Sequence, residues 1–184
     1  MLVDNKFQLN KYLIKQKSLV NTGKYYIQDE NGHDILFASS PMFQINWKVT
    51  IFDSESKQKH FSVAQGFSLM STVYLVVDAN NAYIGKIKGK PISLGVLWDI
   101  TDANDVVIGQ AREKVGSVAV DNLINSRKFA NFDILLDQNV VGEVMSQITI
   151  KDTYILDLRN DFDKRLDRRM GIALIIALDA GLNR

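Results

Sequence analysis

The sequence predicts a mainly β protein: a closed or nearly closed antiparallel barrel with a hydrophobic C-terminal helix through its centre. Three observations carry this expectation. Most of the 184-residue chain alternates apolar and polar residues over short runs. One hairpin pattern is written several times. The stretch "RRMGIALIIALDAGLNR" (168–184) holds seven consecutive apolar residues, Ile172 to Leu178, and a helix with no polar face needs surroundings other than water.

The strands come first along the chain. "KYLIKQKSLV" (11–20), "KYYIQD" (24–29), "DILFAS" (34–39), "FQINWKVTIFD" (43–53), "KHFSVAQ" (59–65), "TVYLVVD" (72–78) and "KFANFDILLD" (128–137) all have strand character. Pro41 and Pro91 fall between such runs, where a missing N–H costs little.

The hairpins repeat a common grammar. "YIQDENGHDILFA" (26–38), "LVVDANNAYIGKI" (75–87), "DITDANDVVIGQA" (99–111) and "LLDQNVVGEV" (135–144) each end a strand at Asp29, Asp78, Asp102 or Asp137. Asn31, Asn80, Asn104 and Asn139 follow two residues later. Asp accepts bonds from nearby backbone donors, and Asn tolerates the left-handed backbone of tight turns. A further hairpin is expected around "DSESKQK" (53–59). Gly85, Gly109 and Gly142 lie just past the turns, where glycine marks a bulge or a close backbone approach, or simply closes the turn. The irregular period, broken by "REKVGSVAVDNLINS" (112–126), argues against a propeller or solenoid. No linker or low-complexity tract divides the chain, so one domain over 1–184 is expected, with strands over about 7–160.

The helix follows. Asp163, or else Asp161, is the expected N-cap, and Gly181 fits the C′ position with Leu182 behind it. This predicts a helix over about 164–180, roughly 26 Å long. Its apolar part ends at Asp179 and is far shorter than the roughly 17–25 residues that span hydrocarbon. An interfacial helix would keep a polar face along its length. A meander of ten or more strands curls or splits, and closing it removes exposed edges. A helix apolar on all sides fills the space such a barrel encloses.

These hairpins, followed by "DRRMGIALIIALDAG", resemble the LURP-one-related proteins, which group with phospholipid scramblases and the tubby C-terminal domain. The likeness covers essentially the whole chain, and its strongest part is D-R-R-x-x-x-A-L-x-x-A-L-D from Asp167 to Asp179. It implies a tubby C-terminal-like barrel of roughly twelve strands around the helix. It also implies a binding role, since tubby domains hold phosphoinositide head groups through basic residues of the barrel wall. None of those residues aligns onto a position here. Scramblase features, a Pro-rich N-terminal segment and palmitoylated cysteines, are missing from this sequence.

Composition narrows the chemistry. The chain has no cysteine, which excludes disulfides, thiolate catalysis and cysteine-based metal sites. A net charge of +1 gives no global pull toward nucleic acid or anionic membrane. "MLVDNKFQLNKYLIKQ" contains no signal-peptide core, so a cytoplasmic protein, peripheral at the membrane if it binds lipid, is the expectation.

The best candidate for ligand binding is "IGKIKGKP" (84–91). A strand there points Lys86, Lys88 and Lys90 to one face, where they form an anion patch. The commoner use of such a row is a solvated face with edge-protecting lysines. Arg165, Arg168 and Arg169 crowd the helix start, where they oppose the macrodipole. They are expected to pair with Asp157, Asp161, Asp163 or Asp167 rather than bind an anion. Asp179 sits at the electrostatically wrong end of the helix and needs a partner or solvent. "DANDVVIGQARE" (102–113) fails as a calcium loop, because Val106 and Val107 stand where a ligand and the obligatory Gly belong. His33 and His60 lack ligand spacing, "GFSLM" (66–70) only brushes past a nucleophile elbow, and no phosphate-binding glycine motif occurs. Trp47, Trp98 and the tyrosines have core spacing rather than that of a base-stacking platform.

No catalytic site, metal or cofactor is therefore expected. The sequence favours a non-catalytic binding module, its partner either an anionic phospholipid or another protein. A structural or protein-interaction role, with 112–126 as an interface, stands level with lipid binding, and an enzyme stands well behind. Oligomeric state is left open.

Overall fold

The computed structural model describes residues 5–16, 24–40, 47–69, 71–92, 95–114, 131–147 and 153–182. Twelve strands follow a short 3-10 turn at Asn5–Phe7: β1 (Lys11–Gln16), β2 (Tyr25–Gln28), β3 (Asp34–Ser39), β4 (Lys48–Asp53), β5 (Lys59–Gly66), β6 (Thr72–Asp78), β7 (Tyr83–Ile92), β8 (Gly95–Thr101), β9 (Val107–Glu113), β10 (Phe132–Leu136), β11 (Asn139–Gln147) and β12 (Thr153–Asp157). Each pairs antiparallel with its neighbours in chain order, and β1 pairs with β12 to close the barrel. The helix α1 (Arg168–Leu182) comes last and runs through the lumen, about 22 Å at 1.5 Å per residue. Every residue from Met170 to Ala180 is buried. The expected barrel around a hydrophobic helix is the fold adopted.

Period-two alternation builds the wall. Tyr12 and Ile14, Tyr25 and Ile27, Leu36 and Ala38, Tyr74 and Val76 are fully or almost fully buried against the lumen, and the residues between them face outward. The up-and-down order places the β2–β3, β4–β5, β6–β7, β8–β9 and β10–β11 turns at one end. The chain also enters β1 and leaves β12 there, so α1 enters the lumen at this turn end and emerges at the other.

The Asp of the first three repeats does what its chemistry suggests. Asp29 Oδ1 accepts from the amides of Asn31 and His33, Asp78 Oδ1 from Asn80 and Ala82, and Asp102 Oδ1 from Asn104 and Val106, all at 2.8–2.9 Å. Asp53 repeats the device with Glu55 and Ser56. These amides, His33 N–H and Val106 N–H foremost, hold the Asp29 and Asp102 carboxyls below the usual range.

The Asn role differs from expectation. The left-handed residue is one position later, at Gly32, Asn81 and Asp105, because the Asp amide bonds the carbonyl four residues on and the turn needs its reversal there. The fourth hairpin departs further. Asp137 and Gln138, both at positive φ, form a two-residue turn, and Asn139 already pairs within β11.

The glycines after the turns are bulge residues and close approaches together. Register slips by one between Val76 and Val77, Ile100 and Thr101, and Ile134 and Leu135, opposite Gly85, Gly109 and Gly142. A Cβ at Gly85 would collide with the Thr101 carbonyl oxygen; at Gly109 and Gly142 it would lie 2.7 Å from Leu135 O and 2.5 Å from Asp157 O. Each glycine lets the sheet bend inward at the turn end.

Boundaries shift elsewhere. Pro91 lies inside β7, opposite Val96, rather than between strands. Residues 17–20, 43–46 and 128–130 of the expected runs lie outside the described residues, and so does Pro41. The helix starts at Arg168 rather than 164 because Lys164, at φ +50°, is in the left-handed region. Asp167 is the N-cap: its carbonyl accepts from Met170 N and its carboxylate from Arg169 N at 2.8 Å. Asp161 instead closes the preceding turn, accepting from Arg165 N and Leu166 N. Gly181 is helical, not a C′ stop, and a Cβ there would meet the Trp98 ring at 2.7 Å.

A short plug covers part of the turn end. Lys6 pairs with the buried Asp53, Phe7 meets His60 edge-on at 5.2 Å, and Tyr12 Oη donates to Lys6 O at 2.9 Å. Lys6 and then the turn amides outweigh the burial that opposes ionisation, so the Asp53 carboxyl lies well below its usual value of 3.8.

Three outcomes follow from this packing. A chain ending at Asn160 loses cooperative thermal unfolding by circular dichroism, because the emptied lumen exposes the inner wall; a sharp transition would contradict this. Gly85→Ala lowers the unfolding free energy measured in urea by about 1–3 kcal/mol, as overpacking against fixed backbone does. For Asp53 the folded pKa is depressed, so its contribution is present above about pH 4 and is lost as pH falls below that. Asp53→Asn therefore destabilises at neutral pH, on the order of 1–2 kcal/mol for a partly buried pair, and flattens stability against pH below 4. Titrating the unfolding midpoint of both proteins from pH 7 to about 3 checks the sign.

Candidate functional site

With α1 in the lumen, binding surfaces lie on the outer wall and at the barrel ends. Lys86, Lys88 and Lys90 all project outward from β7, between the inward Ile87 and Gly89. Their partners differ. Lys86 lies 2.9 Å from Asp105, which also accepts from Tyr83 Oη at 2.7 Å. The Tyr83 hydroxyl and then Lys86 hold the Asp105 carboxyl low. Burial, then the Asp105 bond, pushes the Tyr83 phenol up to about 12. Lys90 pairs with Asp99, a buried carboxylate that also accepts from Gln110 Nε2 at 3.0 Å. Lys88 makes no ion pair among the described residues, although Asp99, the partner of Lys90, lies directly across the strand pair from it. The row is thus one cation outside these ion pairs, between two shared ones.

The arginines near the helix start are structural. Arg168, almost fully buried, donates to Asp161 Oδ2 (2.5 Å), Leu166 O (2.9 Å), Leu9 O (3.0 Å) and Asn10 Oδ1 (3.2 Å). Arg169 pairs with its N-cap Asp167, and Arg165 with Asp137. Asp157 pairs with Arg159 instead; burial would raise its pKa, but the Arg159 bonds outweigh that and keep it low.

Asp179 is wholly buried at the other end of α1. Tyr25 Oη donates to its Oδ2 (2.5 Å) and Tyr154 Oη to its Oδ1 (2.7 Å). A carboxylate at the negative helix terminus is thereby held by phenols from β2 and β12, a bracing role.

A groove of about 470 Å³ opens on the wall of β10–β12, lined by Lys114, Asp133, Glu143, Asp157 and Arg159 and rimmed by Val140 and Phe162. Lys114 bridges Asp133 and Glu143 (3.0 and 2.7 Å), and Arg159 holds Asp157. These five charges sum to −1, but each carboxylate is paired with Lys114 or Arg159, so the groove presents no general base without a cation against it.

One surface escapes a reading for catalytic motifs. The five-residue β5–β6 loop carries Phe67 and Leu69, 92% and 89% exposed. "GFSLM" signals it only as apolar residues beside a turn. The candidate interface at 112–126 falls, from residue 115 onward, outside the described residues. Among the described residues no cluster of His, Cys, Asp and Glu is arranged to hold a metal, and no helix is long and apolar enough to cross a membrane.

Comparison with known proteins adds three findings. No curated protein matches the chain by sequence. The X-ray structure of a protein from Arabidopsis thaliana is similar over 100% of this chain and 99% of its own, with a TM-score of 0.63 at 14% identity, a likeness of fold. The model of the LURP-one-related family matches residues 10–179, taking in every strand and α1 as far as Asp179. The barrel, its recurrent Asp turns and its buried C-terminal helix thus agree with the sequence match, and the chain belongs to the LURP-one-related family.

Proposed function

We propose that the protein is a non-catalytic binding module that takes anionic phospholipid head groups, phosphoinositides above all, on the outer wall of β7. The carrying observation is the outward row Lys86, Lys88 and Lys90, in which Lys88 makes no ion pair among the described residues. Lys48, outward on β4, stands likewise without an acidic partner among the described residues, three strands away. A filled lumen favours a ligand held on the surface over one enclosed. Peripheral attachment of a cytoplasmic protein is the setting this reading implies.

A second reading, a protein-interaction module, is favoured by Phe162, 85% exposed at the rim of the paired-charge groove. Exposed aromatics beside satisfied polar groups are the anchors that protein partners bury.

Co-sedimentation with phosphatidylcholine, phosphatidylserine and phosphoinositide vesicles, at low and physiological salt, separates the two. The lipid reading expects selective retention on phosphoinositide vesicles that weakens with salt. Lys88→Ala then costs about fivefold, the worth of roughly 1 kcal/mol per lysine near an anionic surface. Replacing Lys86, Lys88 and Lys90 together by Ala abolishes retention. No retention on any vesicle would retire the lipid reading in favour of a protein partner.

A further inference from the structure

We propose that the β5–β6 loop is a membrane wedge: Phe67 and Leu69 enter the acyl boundary of an anionic bilayer while lysines on either side hold its head groups. The inference rests on the head-group reading and adds to it an insertion site and an orientation.

The loop is not an isolated pair of exposed residues. On the outer wall Gly66 pairs with Val73, and a Cβ at Gly66 would lie 3.2 Å from Val73 Cγ1 and 3.4 Å from Leu75 Cγ. The apolar loop thus continues onto Val73 and the exposed Leu75. Strand register sets the charges around this strip. One row across the sheet reads Lys48, Ala64, Leu75, Lys86, and the next reads Gly66, Val73, Lys88. Apolar residues therefore occupy β5 and β6, with lysines on β4 and β7, a span of roughly 14 Å at the usual strand spacing. Lys90 follows the Thr72–Gly89 pair by one position, level with Ser71 at the loop's end.

This layout suits one occupant best. Interfacial attachment combines an apolar element buried about 5–10 Å with cations that meet anionic lipid, since one weak signal holds poorly alone. A cationic frame around an apolar centre is complementary to an anionic bilayer, whose charge lies at the surface and whose apolar phase lies beneath it. The loop also lies at the end opposite the tight turns, so the barrel would meet the membrane by the end from which α1 emerges.

The chain lacks cysteine, so Ser68→Cys gives a unique label site in the loop. With an environment-sensitive fluorophore there, phosphatidylcholine vesicles containing a phosphoinositide should shift emission to the blue, and doxyl-labelled lipids should quench it. In the unlabelled full chain, Phe67→Ser with Leu69→Ser should lower partitioning at least about tenfold, with the unfolding midpoint measured in parallel to show that the barrel is intact. Unchanged partitioning of that variant, still abolished by salt and weakened by Lys88→Ala, would overturn the wedge and leave the head-group reading standing. Equal insertion into neutral vesicles would overturn the head-group reading and, with it, the lysine frame of this proposal. No retention on any vesicle overturns both. A concentration-dependent dimer that the double substitution dissolves would assign the patch to a second copy and overturn the proposal.

Discussion

The structure depends on one constraint: a sheet of twelve strands that closes on itself encloses a space too wide for its own side chains, and something must fill it. A helix about 10–12 Å across does so only if it has no polar face. Residues Ile172 to Leu178 meet that demand, all but wholly buried. The wall is shaped to the helix in turn. A Cβ at Gly85 would meet Met170 Cε at 3.2 Å, one at Gly171 would meet Leu156 Cδ2 at 3.0 Å, and Trp98 lies against both Gly89 and Gly181.

The same constraint dictates where charge is tolerated. At the entry of α1, Arg168 opposes the dipole, yet Asp161 and three oxygens of the N-terminal segment and connector surround its guanidinium. At the exit, Asp179 is held by Tyr25 and Tyr154. These buried polar side chains thus brace the filling against the wall.

Much of this was legible in the residues. Alternation located the strands, because a half-buried wall imposes period two. The Asp of the first three repeats was readable because its bonds span only two to four residues. The left-handed position was misplaced by one, since Gly32, Asn81 and Asp105 share only tolerance of positive φ and no common side chain. The helix start was misplaced because Asp161, Asp163 and Asp167 are all competent caps, and only the backbone turn at Lys164 chooses among them. On the candidate site, one outward face for the three lysines followed from strand period alone. Their partners did not: Asp99 and Asp105 reach Lys90 and Lys86 only through strand pairing. The basic frame around Val73 and Leu75 was equally hidden, because it assembles from four strands in register.

Closure of the barrel by β1 and β12 also governs how the molecule is made. Arg168 bonds Leu9 across 159 residues, and Tyr25 meets Asp179 across 154. Such separations slow folding, since the chain entropy of long loops is lost before distant contacts repay it. The filling helix follows every strand in chain order, so a growing chain displays an apolar inner wall and an open β1 edge until its final elements emerge. During synthesis that edge is a template for pairing with other chains. The inner wall of the barrel thus gains its cover only when α1 joins it, after all twelve strands.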